Sequence, residues 1–397
     1  MVDISTKLTR SKDEHPPVLW PDRLDGERAQ VGAASLRIST GAASAFADPT
    51  QNTFLSAASL QIALAMLADG AHAGMARELA DFYAEPGTVP GTAALKGVIA
   101  QVQKAVATNG VHERGDTRLG AAYFVASGQQ SKGLDLPKIQ ALAAGIGAYV
   151  KQGSAPELNK AASKWAKRVS AGLIPDLPLQ IHPSMILTLA GSSFASGNWA
   201  GIGPSFPSME FTSAEGKTSM VEGLDFGSES VWIFRAARGY VAIPRSYGPE
   251  FQLYLPDEGI DPASLSEADW DYDVENPLFG TAKFPQLKLR TSYNLLADGA
   301  AIGMPDVGSA AFLGFSADGA PLQVAAMAQE SALVVDENGY AAASITAIAL
   351  ARMAAPAPTD PIHLVFDRPF ALRIYDEDTQ WTLFYGVIND AAAASLD

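Results

Sequence analysis

The stretch ESALVVDENGYAAASITA, residues 330–347, changes character twice along its length. Leu333–Val335 form an apolar run of the kind that β-strands favour. Asp336–Gly339 are turn-forming residues, and small side chains dominate after Tyr340. The pair Asn338–Gly339 is typical of a hairpin turn.

The segments around this stretch divide the chain into two halves. Before residue 186, the spacing of Leu, Ile, Met and Ala predicts helices within residues 34–48, 56–83, 136–150 and 155–174. Ser56 and Ser59 stand where helix N-caps are expected. From Ile186 onward, short apolar or alternating runs are bounded by Gly, Pro and Asp, which predicts strands. Because helices and strands are segregated, the sequence predicts an α+β fold.

Composition narrows the possible partners. With 48% apolar and 18% charged residues, the chain can bury a large core and lacks the signature of disorder. The formal charge of -15 and the absence of Lys and Arg clusters disfavour nucleic acid or anionic membrane as partners. There is no cysteine, which excludes disulfides and thiol nucleophiles. The best apolar run, Leu55–Ala68, is too short and too polar to span a bilayer.

No group of residues typical of an enzyme is visible. The Gly216–Thr218 sequence GKT has Phe211 where a phosphate-binding loop needs glycine, and GFSADG at Gly314–Gly319 is one residue too long for a nucleophile elbow. The histidines are scattered without the spacing of four residues that presents two ligands to one metal. We therefore expect no catalytic activity, no metal and no cofactor.

Several segments, taken in order, carry a family pattern. NTFLSAAS at 52–59 leads into IALAMLADGAHAGMAREL at 62–79, and LTLAGSSFASGNW occupies 187–199. Three further segments follow in order: VAIPRSYGPEFQLYLPDEG at 241–259, the stretch at 330–347 quoted above, and VFDRPFALRIYDEDTQWTLFYGVIND at 365–390. From about residue 32 to the end, the chain resembles the serpin family. The resemblance implies a helix-rich N-terminal half, large mixed and antiparallel sheets and an exposed reactive loop. Residues 1–30 are expected to form a loosely ordered tail and 31–397 one domain, with the loop at about 339–361.

The resemblance implies that the chain inhibits serine proteases as a suicide substrate, through a loop that inserts into the main sheet after cleavage. The family's counting from Gly339 places the reactive bond between Met353 and Ala354, with Arg352 as the rival. Met353 favours elastase-, chymotrypsin- or subtilisin-like targets, whereas Arg352 would favour trypsin-like ones.

The resemblance also gives Gly339 a second interpretation besides a hairpin turn: a hinge glycine, whose freedom in φ lets the strand bend away from the sheet and later straighten. The preceding Glu337 and the following alanine run favour the hinge. The hinge implied is made of Glu337, Gly339, Tyr340, Ala341, Ala342, Ala343 and Ser344.

A cluster around the sheet opening is also implied, and it consists of Ser56, Ser59, Gly191, Trp199 and Gln329. Gly191 stands where the family has asparagine, and Gln329 where it has histidine; Gln can hydrogen-bond the serines in both directions. Tyr340 replaces a small Thr or Ser, and its buried ring and hydroxyl would need space and a partner. Tyr340 is the reason for an alternative function, a non-inhibitory serpin-fold binding or carrier protein.

The cell compartment is left open by the sequence. Residues 1–30 lack the apolar core of a secretory signal, which favours a cytoplasmic protein or one exported by another route, whereas serpins commonly act outside cells. A monomer is expected.

Overall fold

The computed structural model describes residues 26–83, 115–128, 131–200, 203–342, 361–376 and 380–393. The helices within these ranges are α1 (Gly26–Ala45), α2 (Ala57–Ala68), α3 (Ala73–Tyr83), α4 (Leu136–Gly145), α5 (Ala155–Val169) and α6 (Leu295–Asp298). Short 3-10 turns occupy Pro262–Ser264, Glu267–Trp270 and Gly299–Ile302. Helix α1 begins inside the segment that the sequence assigns to the tail, so residues 26–30 are helical rather than loosely ordered.

The strands lie mostly in the second half of the chain, as the sequence predicts. They are β1 (Thr53–Leu55), β2 (Gly115–Ala126), β3 (Tyr149–Gly153), β4 (Leu187–Trp199), β5 (Ser208–Thr212), β6 (Thr218–Phe226), β7 (Val231–Ala236), β8 (Gly239–Pro244), β9 (Ser246–Tyr247), β10 (Glu250–Pro256), β11 (Gly280–Pro285), β12 (Leu287–Tyr293), β13 (Gln329–Val335), β14 (Gly339–Ala342), β15 (Ile362–Val365), β16 (Phe370–Asp376) and β17 (Trp381–Ile388). The α+β prediction is confirmed.

Three sheets organise these strands. The main sheet has the order β12-β13-β14-β4-β2-β3, with β9 paired to the end of β4. A second sheet runs β1-β17-β16-β10-β8-β7, and a third runs β15-β11-β6-β5. The β2–β3 and β11–β15 pairs are parallel, and the others are antiparallel. The main sheet places β14, the start of the predicted reactive loop, between β13 and β4.

Helix α2 lies between the main sheet and the second sheet, in contact with β4 and β17. Ser56 caps it: the hydroxyl accepts a hydrogen bond from the backbone N–H of Ser59 at 3.0 Å, satisfying a donor that the first turn leaves unpaired. Ser59 is a helical residue and not a second cap, contrary to the sequence expectation. Leu60, Ile62 and Leu64 are buried in the core.

The helix predicted over residues 136–150 is shorter in the structure. Helix α4 ends at Gly145, and Gly147 has a left-handed φ of 63°, a conformation that glycine adopts without a Cβ clash. The chain then enters β3 at Tyr149. The apolar spacing of 136–150 fits a helix throughout, so periodicity alone did not separate the helix from the strand.

Helix α5 crosses the front of the main sheet, in contact with β2, β3 and β4. Leu158, Ala162 and Trp165 are buried on its inner face, and the Trp165 ring meets Phe124 of β2 edge-on, with centroids 6.1 Å apart.

No helix in the described ranges is long and apolar enough to cross a membrane. Among the same residues, no group of three or more His, Asp or Glu side chains could hold a metal ion.

Candidate functional site

A tight turn joins β13 to β14. The backbone N–H of Asp336 donates to the carbonyl of Gly339 at 2.9 Å, and that of Gly339 donates back to Asp336 at 3.3 Å. Trp199 holds the turn from the side: its indole Nε1 donates to the Asp336 carbonyl at 2.8 Å, and its backbone N–H donates to the Asn338 carbonyl at 3.2 Å. Glu337 lies exposed at the tip. The stretch therefore forms the hairpin turn, and the hinge movement stays a prediction.

Gly339 is needed for a reason that the sequence did not reveal. A Cβ at this position would collide with the carbonyl oxygen of Gly197 on the neighbouring strand β4. Gly339 pairs with Asn198 in the register of β14 and β4, so the backbones approach too closely for any larger residue. Close approach, in addition to freedom in φ, requires glycine here.

Tyr340 is buried, with 3% of its surface exposed. Its ring stacks on Phe251 of β10, with centroids 5.2 Å apart and planes at 25°, and tilts against Trp199 at 5.9 Å. Its hydroxyl donates to the carbonyl of Pro249. Burial raises the pKa of this phenol well above its ordinary value, so the hydroxyl keeps its proton and remains a donor. The ring and the hydroxyl thus have both the space and the partner that the sequence left in question.

Gly197 creates that space for the ring, and Gly248 allows the turn before β10 to approach β4. A Cβ at Gly197 would lie 2.6 Å from the Tyr340 ring and 2.7 Å from the Tyr247 carbonyl oxygen. Gly248 has a φ of 121°, and a Cβ there would lie 2.8 Å from the Ser196 carbonyl oxygen. Sequence reasoning missed both glycines, as well as Phe251 and Pro249, because no local pattern indicates that they surround residue 340.

Beneath the opening, hydroxyls link α2 to the sheets. The Ser56 hydroxyl donates to the Leu383 carbonyl at 2.8 Å and lies 2.6 Å from the Ser193 hydroxyl, which then acts as donor. The Ser59 hydroxyl donates to the Gly191 carbonyl of β4 at 3.1 Å. The structure brings Ser56, Ser59 and Gly191 together, and adds Ser193, which the sequence analysis did not select.

Gln329 hydrogen-bonds in both directions, but to the backbone of Ser56 rather than to serine hydroxyls. Its Nε2 donates to the Ser56 carbonyl at 2.8 Å, and its Oε1 accepts from the Ser56 N–H at 3.3 Å. The presence of glycine at position 191 has a steric reason. A Cβ there would collide with the Ser59 carbonyl oxygen and lie 3.0 Å from the Ala63 nitrogen. Helix α2 therefore lies too close to β4 for an asparagine at 191.

Below β14, the main sheet is open. Strands β4 and β13 do not pair with each other along their described lengths, and the edges at Leu187–Phe194 and Gln329–Leu333 face one another without a described strand between them. A cavity of about 140 Å³ lies in this opening, lined on one side by α2 and on the other by α5. The fully buried Ser331 hydroxyl faces this region and has no hydrogen-bond partner among the described residues.

The remaining predicted residues divide at the end of β14. Ala341 pairs with Val334 and Ser196, and the backbone of Ala342 pairs with Ala195. Ala343, Ser344, Arg352, Met353 and Ala354 lie outside the described residues.

A protein-family model described as Serpin (serine protease inhibitor) matches residues 36–391. This chain belongs to the serpin family. The sequence-based resemblance is confirmed. Gly339, Tyr340 and Ala341, which the resemblance assigned to the exposed loop, are instead buried in β14, between two strands of the main sheet.

Individual serpins show how distant the relationship is. Mouse alpha-1-antitrypsin 1-3 is 33% identical over 109 residues, 27% of this chain. The match spans a quarter of that relative's length. The native thermophilic serpin tengpin superposes with a TM-score of 0.72 at 18% identity, covering 95% of this chain and 97% of tengpin. Thyroxine-binding globulin, in its complex with thyroxine, gives a TM-score of 0.71 at 16% identity, covering 91% and 99%. These two structures show the fold.

Proposed function

We propose that this serpin inhibits serine proteases as a suicide substrate. The protease cleaves the loop within about 339–361, and the freed segment that begins at β14 extends down the opening in the main sheet. Serpins are generally protease inhibitors and not enzymes, which gives the starting point. The observation that carries the proposal is the position of β14. It already pairs with both β13 and β4, and its continuation would run into the opening between those two strands.

The register of β14 indicates which residues would fill the opening. Gly339 faces Asn198 and Ala342 faces Ala195, so the same antiparallel register continued downward would bring residue 350 opposite Leu187, the first residue of β4. The inserted strand proposed is therefore 339–350. Insertion would pair the two open edges, each of which now has unpaired backbone groups on that side.

The side chains of this segment suit the two faces. Residues at every second position share a face, so Ser344 would lie on the same side as Tyr340. It would sit opposite Ser331 on β13 and Ser193 on β4, where a serine pair across the strands can hydrogen-bond. The buried Ser331 hydroxyl would then gain the partner that the described residues do not supply. Thr346 would lie between Gln329 and Gly191 in the same way.

Tyr340 fits this mechanism, since its ring and hydroxyl are already accommodated in the sheet. Residue 340 is already paired within the main sheet, so in the proposed mechanism its entry would add no barrier after cleavage. We propose Met353–Ala354 as the reactive bond, with Arg352 as the alternative. The partner proposed is a serine protease of the elastase, chymotrypsin or subtilisin type, or of the trypsin type if Arg352 is recognised.

A protease panel tests the proposal. The protein is incubated with elastase-, chymotrypsin-, trypsin- and subtilisin-like enzymes, followed by gel electrophoresis in SDS and mass spectrometry. We expect an SDS-resistant complex, cleavage after Met353, and a higher melting temperature of the cleaved serpin. Met353→Ala and Arg352→Ala are compared in parallel, because only the substitution at the recognised residue should slow complex formation. Cleavage without complex and without a gain in melting temperature would contradict inhibition.

A second function, ligand carriage without protease trapping, is favoured by one specific observation. The opening between α2 and α5 holds a cavity with serine hydroxyls and apolar walls, and β14 is anchored above it by Tyr340. One structural relative is a thyroxine complex, so the fold can carry a small ligand. Cleavage without a covalent complex, together with a ligand-induced rise in melting temperature, would favour this function over inhibition.

A further inference from the structure

A groove separates helix α5 from strand β3, on the side of the main sheet away from β14. It has a volume of about 450 Å³, and its charged and aromatic lining includes Tyr149, Lys151, Glu157, Lys160, Lys164 and Arg168. Lys160, Lys164 and Arg168 are exposed, and Lys151 is half-buried. Positive charge is therefore concentrated here in a chain whose formal net charge is -15.

The lysines of the lining form no ion pair with the described carboxylates, although the pKa of the Glu157 carboxylate, lowered chiefly by hydrogen bonds from Ser154, is lowered further by the nearby Lys151. Within the described ranges, no carboxylate lies within 4.0 Å of the ammonium groups of Lys151, Lys160 or Lys164. Glu157 is the acidic member of the lining, but its carboxylate caps α5, accepting the Ser154 backbone N–H at 2.8 Å and hydroxyl at 2.7 Å. The helix dipole explains a cation in the last turn, where Arg168 lies, but not Lys160 in the middle of α5.

The spacing of these cations is regular. Lys160, Lys164 and Arg168 follow one another at four-residue intervals, so they form a row along one face of α5 with steps of about 6 Å. In an extended peptide, side chains on one face are about 6.6 Å apart. Carboxylates at alternate positions of an extended segment therefore match the three cations of the row, over two steps.

The strand beside the row can accept a further strand. β3 is the last strand of the main sheet in the part of the chain that the structure describes, and its pairing partner is β2 on the inner side. Its outer backbone groups form an edge of the kind that extended peptides pair with. Tyr149 and Lys151 point to the same face of β3, and both line the groove.

We propose that this groove docks an extended acidic peptide segment of a partner protein. The segment pairs with the outer edge of β3 and directs alternate Glu or Asp side chains along the row of Lys160, Lys164 and Arg168, beside Lys151. Edge pairing supplies the orientation, and the cation row supplies the preference for acidic residues. The surface is separate from the loop that begins at β14, so the docking does not depend on protease inhibition.

A defined probe tests this surface: a fluorescein-labelled peptide of alternating Glu and Thr, titrated with the full-length protein and followed by anisotropy. We expect binding that weakens at least about tenfold between low salt and 0.5 M salt, as exposed charges are screened. A Gln-Thr peptide of equal length should bind at least about tenfold more weakly. The Glu-Thr peptide with an N-methyl group at every residue should lose binding as well, because neither of its edges can then donate backbone hydrogen bonds to β3.

Matched variants locate the site. Lys160→Glu/Lys164→Glu should weaken the Glu-Thr peptide at least about tenfold, whereas Lys132→Glu/Lys138→Glu, with the same change in net charge at exposed positions elsewhere, should change it less than about twofold. Circular dichroism checks that both variants are folded.

Several outcomes would overturn the proposal. An equal loss of peptide affinity in both double variants would mean that binding depends on the net charge of the protein and not on this groove. Undiminished binding of the N-methylated peptide would exclude edge pairing. Inorganic polyphosphate or phosphatidylserine vesicles binding more tightly than the peptide would make the groove a general anion or membrane site. Peptide-independent dimers by light scattering, abolished by Lys160→Glu/Lys164→Glu, would assign it to a second copy of this chain.

Discussion

Tyr340 of β14 stacks on Phe251 of β10 with ring centroids 5.2 Å apart, which joins the start of the loop in the main sheet to a strand of the second sheet. The Pro249 carbonyl, two residues before Phe251, accepts the Tyr340 hydroxyl. Strand β14 is therefore fixed by contacts across two sheets as well as by its ladder with β13 and β4. We therefore predict that the position of β14 depends more on this side chain than on its alanine neighbours.

Tyr340→Phe and Tyr340→Ala separate the hydroxyl from the ring. The Phe variant keeps the stacking and loses one buried hydrogen bond, so the free energy of unfolding should fall by about 1 kcal/mol. The Ala variant also empties the ring's volume, and a loss of about 3–5 kcal/mol is expected if β14 stays inserted. Chemical denaturation followed by fluorescence measures both. Tyr240→Phe, at a half-buried ring elsewhere, is the control and should cost less than about 0.5 kcal/mol. Wild-type stability of both variants at residue 340 would contradict the anchoring role.

Gly197→Ala tests whether β4 leaves room for Tyr340. The added Cβ would lie 2.6 Å from the ring, closer than side-chain carbons approach, so we expect a loss of about 1–3 kcal/mol from overpacking. Gly41→Ala in α1 is the matched control, since nothing lies within 4 Å of its Cβ and helix propensity favours alanine by about 1 kcal/mol.

Removing the ring should partly relieve the clash. In the double variant Gly197→Ala/Tyr340→Ala, we expect the total loss in free energy of unfolding to be smaller than the sum of the two single losses, because the same contact is lost only once. Thermal unfolding of the four proteins of this cycle provides the coupling energy. Strict additivity would show that the Tyr247 carbonyl, and not the Tyr340 ring, is what Gly197 accommodates.

The sequence predicted the order of helices and strands but not the environment of Tyr340. The ordered segments around Asn52, Trp199 and the hinge led to the correct fold because each has a local pattern. The side-chain partners of Tyr340 are far away in the chain: Pro249 and Phe251 are about 90 positions before it and Trp199 is 141 positions before it. Their contacts follow from the way the elements pack, which no local pattern reveals. The family preference for a small residue at 340 therefore suggested an obstacle, whereas Gly197 provides space for the ring.

The sheet-opening cluster shows a similar limit. Gln329 was expected to hydrogen-bond in both directions, and it does, but its partners are the backbone groups of Ser56. Donor and acceptor chemistry can be read from a side-chain type. The choice between a hydroxyl and a backbone group depends on where α2 lies relative to the sheet, and Gly191 allows α2 to approach β4 closely.

Gln329→Leu measures the contribution of those two hydrogen bonds. The leucine keeps a similar volume but leaves the buried N–H of Ser56 without its acceptor, so the free energy of unfolding should fall by about 1–3 kcal/mol. The Ser56 carbonyl still accepts the N–H of Leu60 at 3.2 Å, which limits the loss. Gln140→Leu on the exposed face of α4 is the control, with less than about 0.5 kcal/mol expected. Equal effects of the two substitutions would mean that the bonds at Ser56 do not stabilise the fold.

Ser344→Glu and Ala343→Glu form the sharpest test of the inserted strand. These neighbours point to opposite faces of any strand that continues β14. Residue 344 would face Ser331 and Ser193 in the core, where an unpaired carboxylate is costly, whereas residue 343 would face the other side. With the protease that the panel identifies, Ser344→Glu should be cleaved without forming the SDS-resistant complex. Ala343→Glu should keep most of the wild-type complex. If both variants form complex equally, the register proposed for 339–350 is wrong; if both lose it equally, added charge anywhere in the loop, rather than burial at residue 344, blocks the reaction.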